Sequence, residues 1–411
     1  MTSCDAPGLQ TLDQALETML ATIQPLQEQE WLPLNLADGR VLANPILSPM
    51  ELPPQDNSAM DGYAVRVEDL SEFDRLTVSQ RILAGDLTSQ PVVAGECARI
   101  MTGAKMPQGA DTVIRQEDAE LSDDGKVRFI AAVKPRANVR LRGEELSEGE
   151  VVLDAGRRLR AADLGLLASL GINQVAVIRR PKVAVLATGT ELVAAGQPLL
   201  SGQIYESNSQ VLGALLVRLG CEVQHYGIVA DDPEALRQAY MNADSSADLV
   251  IASGGVSVGD ADFSKQILDE LGEVGLWKLA LKPGKPFAYG KLPNSLFTGL
   301  PGNPVSAMLT FDQLVVPLLK KLMGDHGPAR LQVMARITRK LKRSPGRQEF
   351  QRAVVALSED GVLEVTPLAR QGSGLLSTMS KANAYLVINA QVAGYAEGDK
   401  VLVELFDGLL S

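Results

Sequence analysis

The sequence predicts a multidomain chain of mixed class, a parallel α/β domain accompanied by β-rich regions, and three observations lead there. At 411 residues the chain is too long for one ordinary core. Residues 181–324 alternate buried-strand and amphipathic-helix patterns, which implies βαβ units with right-handed crossovers. On either side, residues 45–144 and the chain after Gly324 break into short alternating segments separated by Gly, Pro, Asn and Asp.

The first element is a helix. "TLDQALETMLATIQ" (11–24) opens with the capping-box pattern Thr11-x-x-Gln14, and Leu12, Leu16, Met19 and Ile23 recur at helical spacing. In the region that follows, "CARIMTG", "DTVIRQED" and "KVRFIAAV" read as strands of a small β-rich domain. "AADLGLLASLG" (161–171) returns to helical spacing, with Gly171 as its stop.

The α/β region begins with the strand "KVAVLAT" and the helix "NSQVLGALLVRLG". Next come the strand "CEVQHYGIV" and the helix "DPEALRQAYMNA", which has Asp232 as N-cap and Pro233 in its first turn. "DLVIAS" is the third strand. It runs into the glycine-rich loop "GGVSVGDAD" and a further helix. "WKLALKPGKPFAYGKL" (277–292) reads as one strand that places Lys278, Ala280 and Lys282 on the same face. "SLFTGLPGNPVSA" reads as strand, tight loop and helix, with Asn303 as a cap and Pro304 at the first helical position. The last part, "LQVMARITRKL", "EFQRAVVAL", "GVLEVTPLA", "AYLVINA" and "KVLVELF", reads as a small β-barrel or sandwich of about 80 residues.

Bulk chemistry narrows the function. A net charge of −11 argues against a broad nucleic-acid footprint and leaves room only for a local basic pocket. Cys4, Cys97 and Cys221 are scattered and without CxxC spacing, which suits a reducing cytosol. With only His225 and His326, transition-metal ligation by His/Cys clusters is not expected. No signal peptide pattern and no apolar run of ~18 residues is visible, so the expectation is a cytoplasmic protein without a membrane contact.

In an open α/β sheet, ligands bind beyond the carboxyl ends of the strands. There the sequence places Glu191, Asp231, Asp232, Asp260 and Asp262. Asp232 is read as a plain helix cap. Carboxylates such as Glu191, Asp231 and Asp262 crowded on one edge repel unless a cation lies among them, and Mg²⁺ takes one or two carboxylates plus water and phosphate. Gly254, Gly255 and Gly259, with Ser257, let backbone N–H groups approach an anion. Lys278 and Lys282 add point charges, and Pro301-Gly302-Asn303-Pro304 leads into a helix N-terminus. The set suits a polyanionic substrate reacting at phosphorus or a related oxyanion. Turn chemistry alone would explain Asp61 in "DNSAMDGYAV" and Thr102 in "RIMTGAK".

These stretches taken in order, "DNSAMDGYAV", "RIMTGA", "VRLRGEEL", "ATGTEL", "SGGVSVGDADF", "WKLALKPGKPFAYG" and "GLPGNPVSA", resemble the MoeA family of molybdopterin molybdenumtransferases, related to the E domain of gephyrin. The resemblance implies four parts: a discontinuous linker domain (1–46 and 145–178), a β-rich domain (47–144), an α/β molybdopterin-binding domain (179–326) and a C-terminal β-barrel (327–411). It implies a homodimer with the site between subunits, and the adenylylating enzyme as a candidate partner. The implied reaction joins molybdate to adenylylated molybdopterin with release of AMP and a requirement for Mg²⁺. Family positions fall on Asp61, Thr102, Glu191, Asp231, Asp262, Lys278 and Lys282, with Pro301 and Pro304 shaping the anion loop. Glu191, Asp231 and Asp262 would hold Mg²⁺ or orient pterin and phosphate.

Two departures stand out. Glu145 occupies a place where the family usually has aspartate, which makes it a further metal candidate, and Thr190 also replaces a common aspartate. A non-catalytic molybdopterin-binding scaffold is the rival from another class. The sister activity, molybdopterin adenylylation, is the rival among enzymes. A dinucleotide dehydrogenase is disfavoured because no GxGxxG follows a strand.

Overall fold

The computed structural model describes residues 9–87, 89–255 and 263–410. Ser257, Gly259, Asp260 and Asp262 lie outside the described residues, as does Cys4.

The centre of the molecule is a seven-stranded sheet. Its order is Leu9–Gln10, Glu273–Leu279, Pro286–Lys291, Leu296–Leu300, Leu249–Ser253, Lys182–Thr188 and Glu222–Val229. The last four run parallel, as the strand–helix alternation predicts. The sheet is nonetheless mixed, because Pro286–Lys291 runs antiparallel to both neighbours.

This corrects the reading of 277–292 as one strand. The chain leaves the sheet at Leu279, and Leu281–Lys282 instead pairs in parallel with Gln348–Glu349 of the C-terminal domain. Gly284, at φ +103°, then turns it back towards Pro286. Lys278 therefore lies in the sheet, between Leu9 and Pro286, and Lys282 lies on a different sheet. The two lysines share no strand face.

A second difference concerns the N-terminal segment, which the resemblance groups with the linker. Thr11 and Gln14 form the expected capping box on the helix Leu12–Ala21. That helix buries Leu12, Ala15 and Met19 in the α/β core with Val185, Leu215 and Leu319. Its preceding strand extends the α/β sheet, and Thr22 bonds the Tyr289 hydroxyl at 2.5 Å. Helical periodicity identifies the buried face of such a segment and is silent on which domain receives it.

Gln29–Pro33 pairs with Gln174–Ile178, and Ile46–Leu47 with Val151–Leu153, around a small core of Leu42, Leu159, Leu167 and Val175. The β-rich region carries a six-stranded sheet between Gly62 and Phe129. At the C-terminus, Gln348–Leu357, Leu363–Pro367, Gln332–Ile337, Lys400–Leu405 and Ala384–Ile388 close on themselves into a five-stranded barrel.

The barrel and the α/β domain share one core, in which Phe350, Tyr385 and Val387 pack with Phe287, Leu309 and Leu314. The helix that begins at Pro304 contributes to this seam. It passes through a π turn at Phe311–Val315 before continuing as Val316–Leu322. Pro317 explains the widening, since it has no N–H to donate and its ring would strike the carbonyl four residues back. Burial pushes the thiols of Cys97 and Cys221 up to about 12, so both are inert packing groups. No helix among the described residues is long and apolar enough to cross a membrane.

Candidate active site

The four parallel strands end side by side, at Thr188, Val229, Ser253 and Leu300. Beyond these ends, between the sheet edge and the barrel, lies a cavity of 1210 Å³. Glu191, Asp231, Gly254, Gly255, Lys282, Pro301, Gly302, Asn303 and Pro304 all line it. Register places all but Lys282 there: each of the others follows a strand that is hydrogen-bonded to its neighbour, so the loops leave one edge together, and Lys282 arrives from the strand that pairs with the barrel.

The first residue of the glycine loop is tied to the sheet. Gly254 N–H donates to the Leu300 carbonyl at 3.1 Å. Asn208, 8% exposed, donates to Ser253 Oγ and to the Gly302 carbonyl, both at 2.8 Å, and so ties the glycine loop to the proline loop. Pro304 opens its helix as expected, but the Asn303 side chain makes no capping bond. One first-turn donor, Val305 N–H, instead bonds the Ser373 carbonyl of the barrel at 2.9 Å. Asp232 is the helix cap that its Pro successor predicts, accepting from Glu234 and Ala235 N–H.

Charge divides the cavity into two sides. Glu191 and Asp231 are exposed on the sheet side, and neither forms an ion pair among the described residues. On the barrel side stand Lys282, Lys285, Arg347 and Arg352. Arg352 is 1% exposed, and its guanidinium donates to Thr378 Oγ1 at 3.1 Å and to the Gly372 carbonyl at 3.0 Å. Burial lowers its pKa. Sequence reasoning missed Asn208, Arg347, Glu349, Arg352 and the Gln371–Gly374 loop. The readable signal was "QEFQR", a charged and amide cluster inside an otherwise apolar strand.

Lys278 is exposed and does not line the cavity, whereas Lys285, from the same "KPGK" stretch, does. Asp61 and Thr102 also lie outside it, on the β-rich domain. They form a unit of their own. Gly62–Val65 pairs with Glu96–Ile100, which brings the residues just outside the two strand ends together. Asp61 Oδ1 accepts from Thr102 N–H and from its hydroxyl, both at 2.7 Å. Glu145 is exposed beyond the cavity, and its backbone N–H bonds the Leu52 carbonyl.

The Thr102 N–H, followed by its hydroxyl, holds the Asp61 carboxyl below the ordinary 3.8. A carboxylate shifted down adds stability above its unfolded value and loses it as pH falls through the folded one. Thr102→Val removes the hydroxyl and keeps the N–H. An NMR titration should then find Asp61 moved only part of the way back towards 3.8; full return would show that the hydroxyl alone sets the shift.

Fold and site together define a multidomain α/β and β protein whose cavity, between an α/β sheet edge and a C-terminal barrel, has carboxylates on one side and lysines and arginines on the other. Comparison with known proteins gives the family. Residues 10–171 match the MoeA N-terminal region (domain I and II), 184–321 a probable molybdopterin binding domain, and 334–406 the MoeA C-terminal region (domain IV). The chain is 45% identical over 403 residues to the molybdopterin molybdenumtransferase of Haemophilus influenzae, across 97% of this chain and 99% of that one. It is 31% identical to that of Bacillus subtilis, across 92% and 90%. The solved moeA protein of Pyrococcus horikoshii OT3 superposes with a TM-score of 0.84 at 32% identity, covering 97% of this chain and 100% of that one. The chain belongs to the MoeA family.

Proposed function

We propose that the chain joins molybdate to adenylylated molybdopterin, cleaving the phosphoanhydride and releasing AMP in a Mg²⁺-dependent step. The chain is a transferase of molybdenum cofactor biosynthesis. The observation that carries the finer reading is the two-sided cavity, with carboxylates on the sheet side facing a lysine–arginine wall on the barrel. A nucleotide-linked pterin and an oxyanion both bring negative charge, and the wall would neutralise it.

Glu191 and Asp231 suit Mg²⁺, since they are carboxylates with no ion-pair partner among the described residues, and Asp262 would join them as a third carboxylate. Bound there, the ion would neutralise phosphate charge as the anhydride opens. Backbone N–H groups of the glycine and proline loops would hold the phosphates, and Lys282, Lys285 and Arg352 the oxyanion. We further propose that the chain works as a homodimer in which Asp61 and Thr102 of a second copy complete the site. Their exposure on a domain that does not reach this chain's own cavity supports that arrangement. Lys278, exposed beside the sheet edge, would act from the rim.

The test is AMP release from adenylylated molybdopterin with Mg²⁺ and molybdate, beside Asp231→Asn. Molybdate-dependent release that needs more Mg²⁺ in the variant is expected. Tight binding without release would favour a scaffold, and ATP consumption with unmodified molybdopterin would favour the adenylylating activity.

A further inference from the structure

The barrel places a carboxylate inside the cation wall, and the proposed reaction gives it no role. Glu349 is 4% exposed and lines the cavity. It lies directly across the register from Lys282, in the two-residue ladder by which the α/β domain joins the barrel. Its Oε1 is 3.2 Å from Lys282 Nζ and accepts from Gln351 Nε2 at 3.0 Å. Its Oε2 is buried, accepts no hydrogen bond, and sits 3.3 Å from Arg343 Nε.

Arg343 is itself fixed. Its side chain is 5% exposed and donates to the carbonyls of Arg347 at 2.6 Å, Asn389 at 3.1 Å, Ser344 at 3.3 Å and Ile388 at 3.4 Å. Glu349 is therefore the immobile member of its pair with Lys282, whose side chain is 52% exposed. Arg347 adds a tie across the same seam, from its guanidinium to the Leu281 carbonyl at 3.2 Å. A flexible lysine loses rotamer freedom when it is ordered, and a ligand that must do the ordering binds or reacts less well for it.

We propose that Glu349 is a positioning residue that acts through Lys282, a role that rests on the function proposed above. The fixed carboxylate, 3.2 Å from the ammonium, holds it at the cavity wall by charge pairing and leaves it donors for a ligand. The lysine thus waits at the seam already oriented. The negative charge also offsets part of the field of Lys285, Arg343, Arg347 and Arg352, so the wall can let go of the anionic products after the reaction.

Two measurements test this on the full-length chain. The first is kinetic. Glu349→Gln should lower kcat by about 10- to 100-fold, the range usual when the outer partner of a site residue is lost. The KM for molybdate should stay level or fall, because a negative charge has left the wall. Glu349→Asp should recover part of kcat. In a Lys282→Gln background, Glu349→Gln should have no further effect on turnover, since its action runs through the missing ammonium. Equal fractional losses in both backgrounds, or a raised KM with kcat unchanged, would overturn the proposal.

The second measurement does not depend on turnover. Acetic anhydride labelling read by mass spectrometry should modify Lys282, relative to exposed Lys278, several-fold faster in Glu349→Gln than in the parent protein. An unchanged ratio would overturn the tether. An inactive parent protein with the labelling difference intact would instead count against the proposed reaction and leave the Glu349–Lys282 pairing standing.

Discussion

Arg330→Met is expected to destabilise the protein by about 3–5 kcal/mol, the usual cost of removing one partner from a buried ion pair. Arg330 lies on the passage from the α/β domain to the barrel. Its guanidinium makes a bidentate pair with Asp312 on the π turn and a 2.9 Å contact with Glu404 on the last barrel strand, and its Nε lies 3.5 Å from Asp407. Side-chain exposures are 13% for Arg330, 0% for Asp312 and 5% for Glu404. Gln313 joins both carboxylates, donating to Asp312 at 3.0 Å and to Glu404 at 2.7 Å. Without the arginine, two buried carboxylates face each other with no cation between them.

The effect should depend on pH, with a sign that follows from the same groups. Burial already lifts the Asp312 carboxyl and Glu404 adds to this, while Arg330 and, less strongly, the Gln313 amide oppose it. In the variant the main opposing influence is gone and only the weaker Gln313 hydrogen bond still acts against burial, so the folded state binds a proton that the unfolded chain releases. Such a group stabilises at low pH, and the contribution is lost as pH rises through its folded value. The stability gap to the parent protein should therefore widen between about pH 5 and about pH 8. Urea unfolding at the two values checks both parts; a loss below about 1 kcal/mol at the higher pH would show that the network is dispensable.

The largest effect on turnover is expected from Gly254→Ala. Gly254 has φ +89°, where an L-residue costs roughly 1–2 kcal/mol. An added Cβ would also lie 2.5 Å from the carbonyl oxygen of Thr188, on a strand paired on both sides that cannot retreat. The chain at Gly254 must move instead, and with it the hydrogen bond to Leu300 and the cavity-lining Gly255. A displacement of about 1 Å in a positioning element lowers turnover by roughly 100-fold. The rest of the sheet is untouched, so the melting temperature should fall by only a few degrees. Steady-state kinetics beside a thermal melt decides: near-normal turnover would mean that the loop's backbone does not hold the substrate.

Much of the candidate site was legible because strand ends and turn residues carry local signals. Glycines and prolines after an apolar run mark the loops, and strand order assigns those loops to one sheet edge. This is why Glu191, Asp231, Gly254 and the Pro301–Pro304 loop were found together. The barrel wall was not legible in the same way. Arg347, Glu349 and Arg352 meet the α/β loops only through the Leu281–Glu349 seam, across more than sixty intervening positions. The lysine stretch failed for a related reason. Alternation predicts one face for Lys278 and Lys282 only while the chain stays in one strand, and a break at Ala280, where the chain passes from the α/β sheet to the barrel sheet, ends that condition.

By itself the sequence determined the kinds of element, their order, and the chemistry they carry to the ends of the strands. Those properties rest on neighbours a few residues apart, through backbone preference and hydrophobic period. The tertiary structure alone decided that the N-terminal helix packs on the α/β core, that one strand reverses, and that the barrel supplies the cation wall and its buried glutamate. Each of these depends on contacts between distant segments, where burial and the need to pair every buried charge select one arrangement among many that the local signals permit.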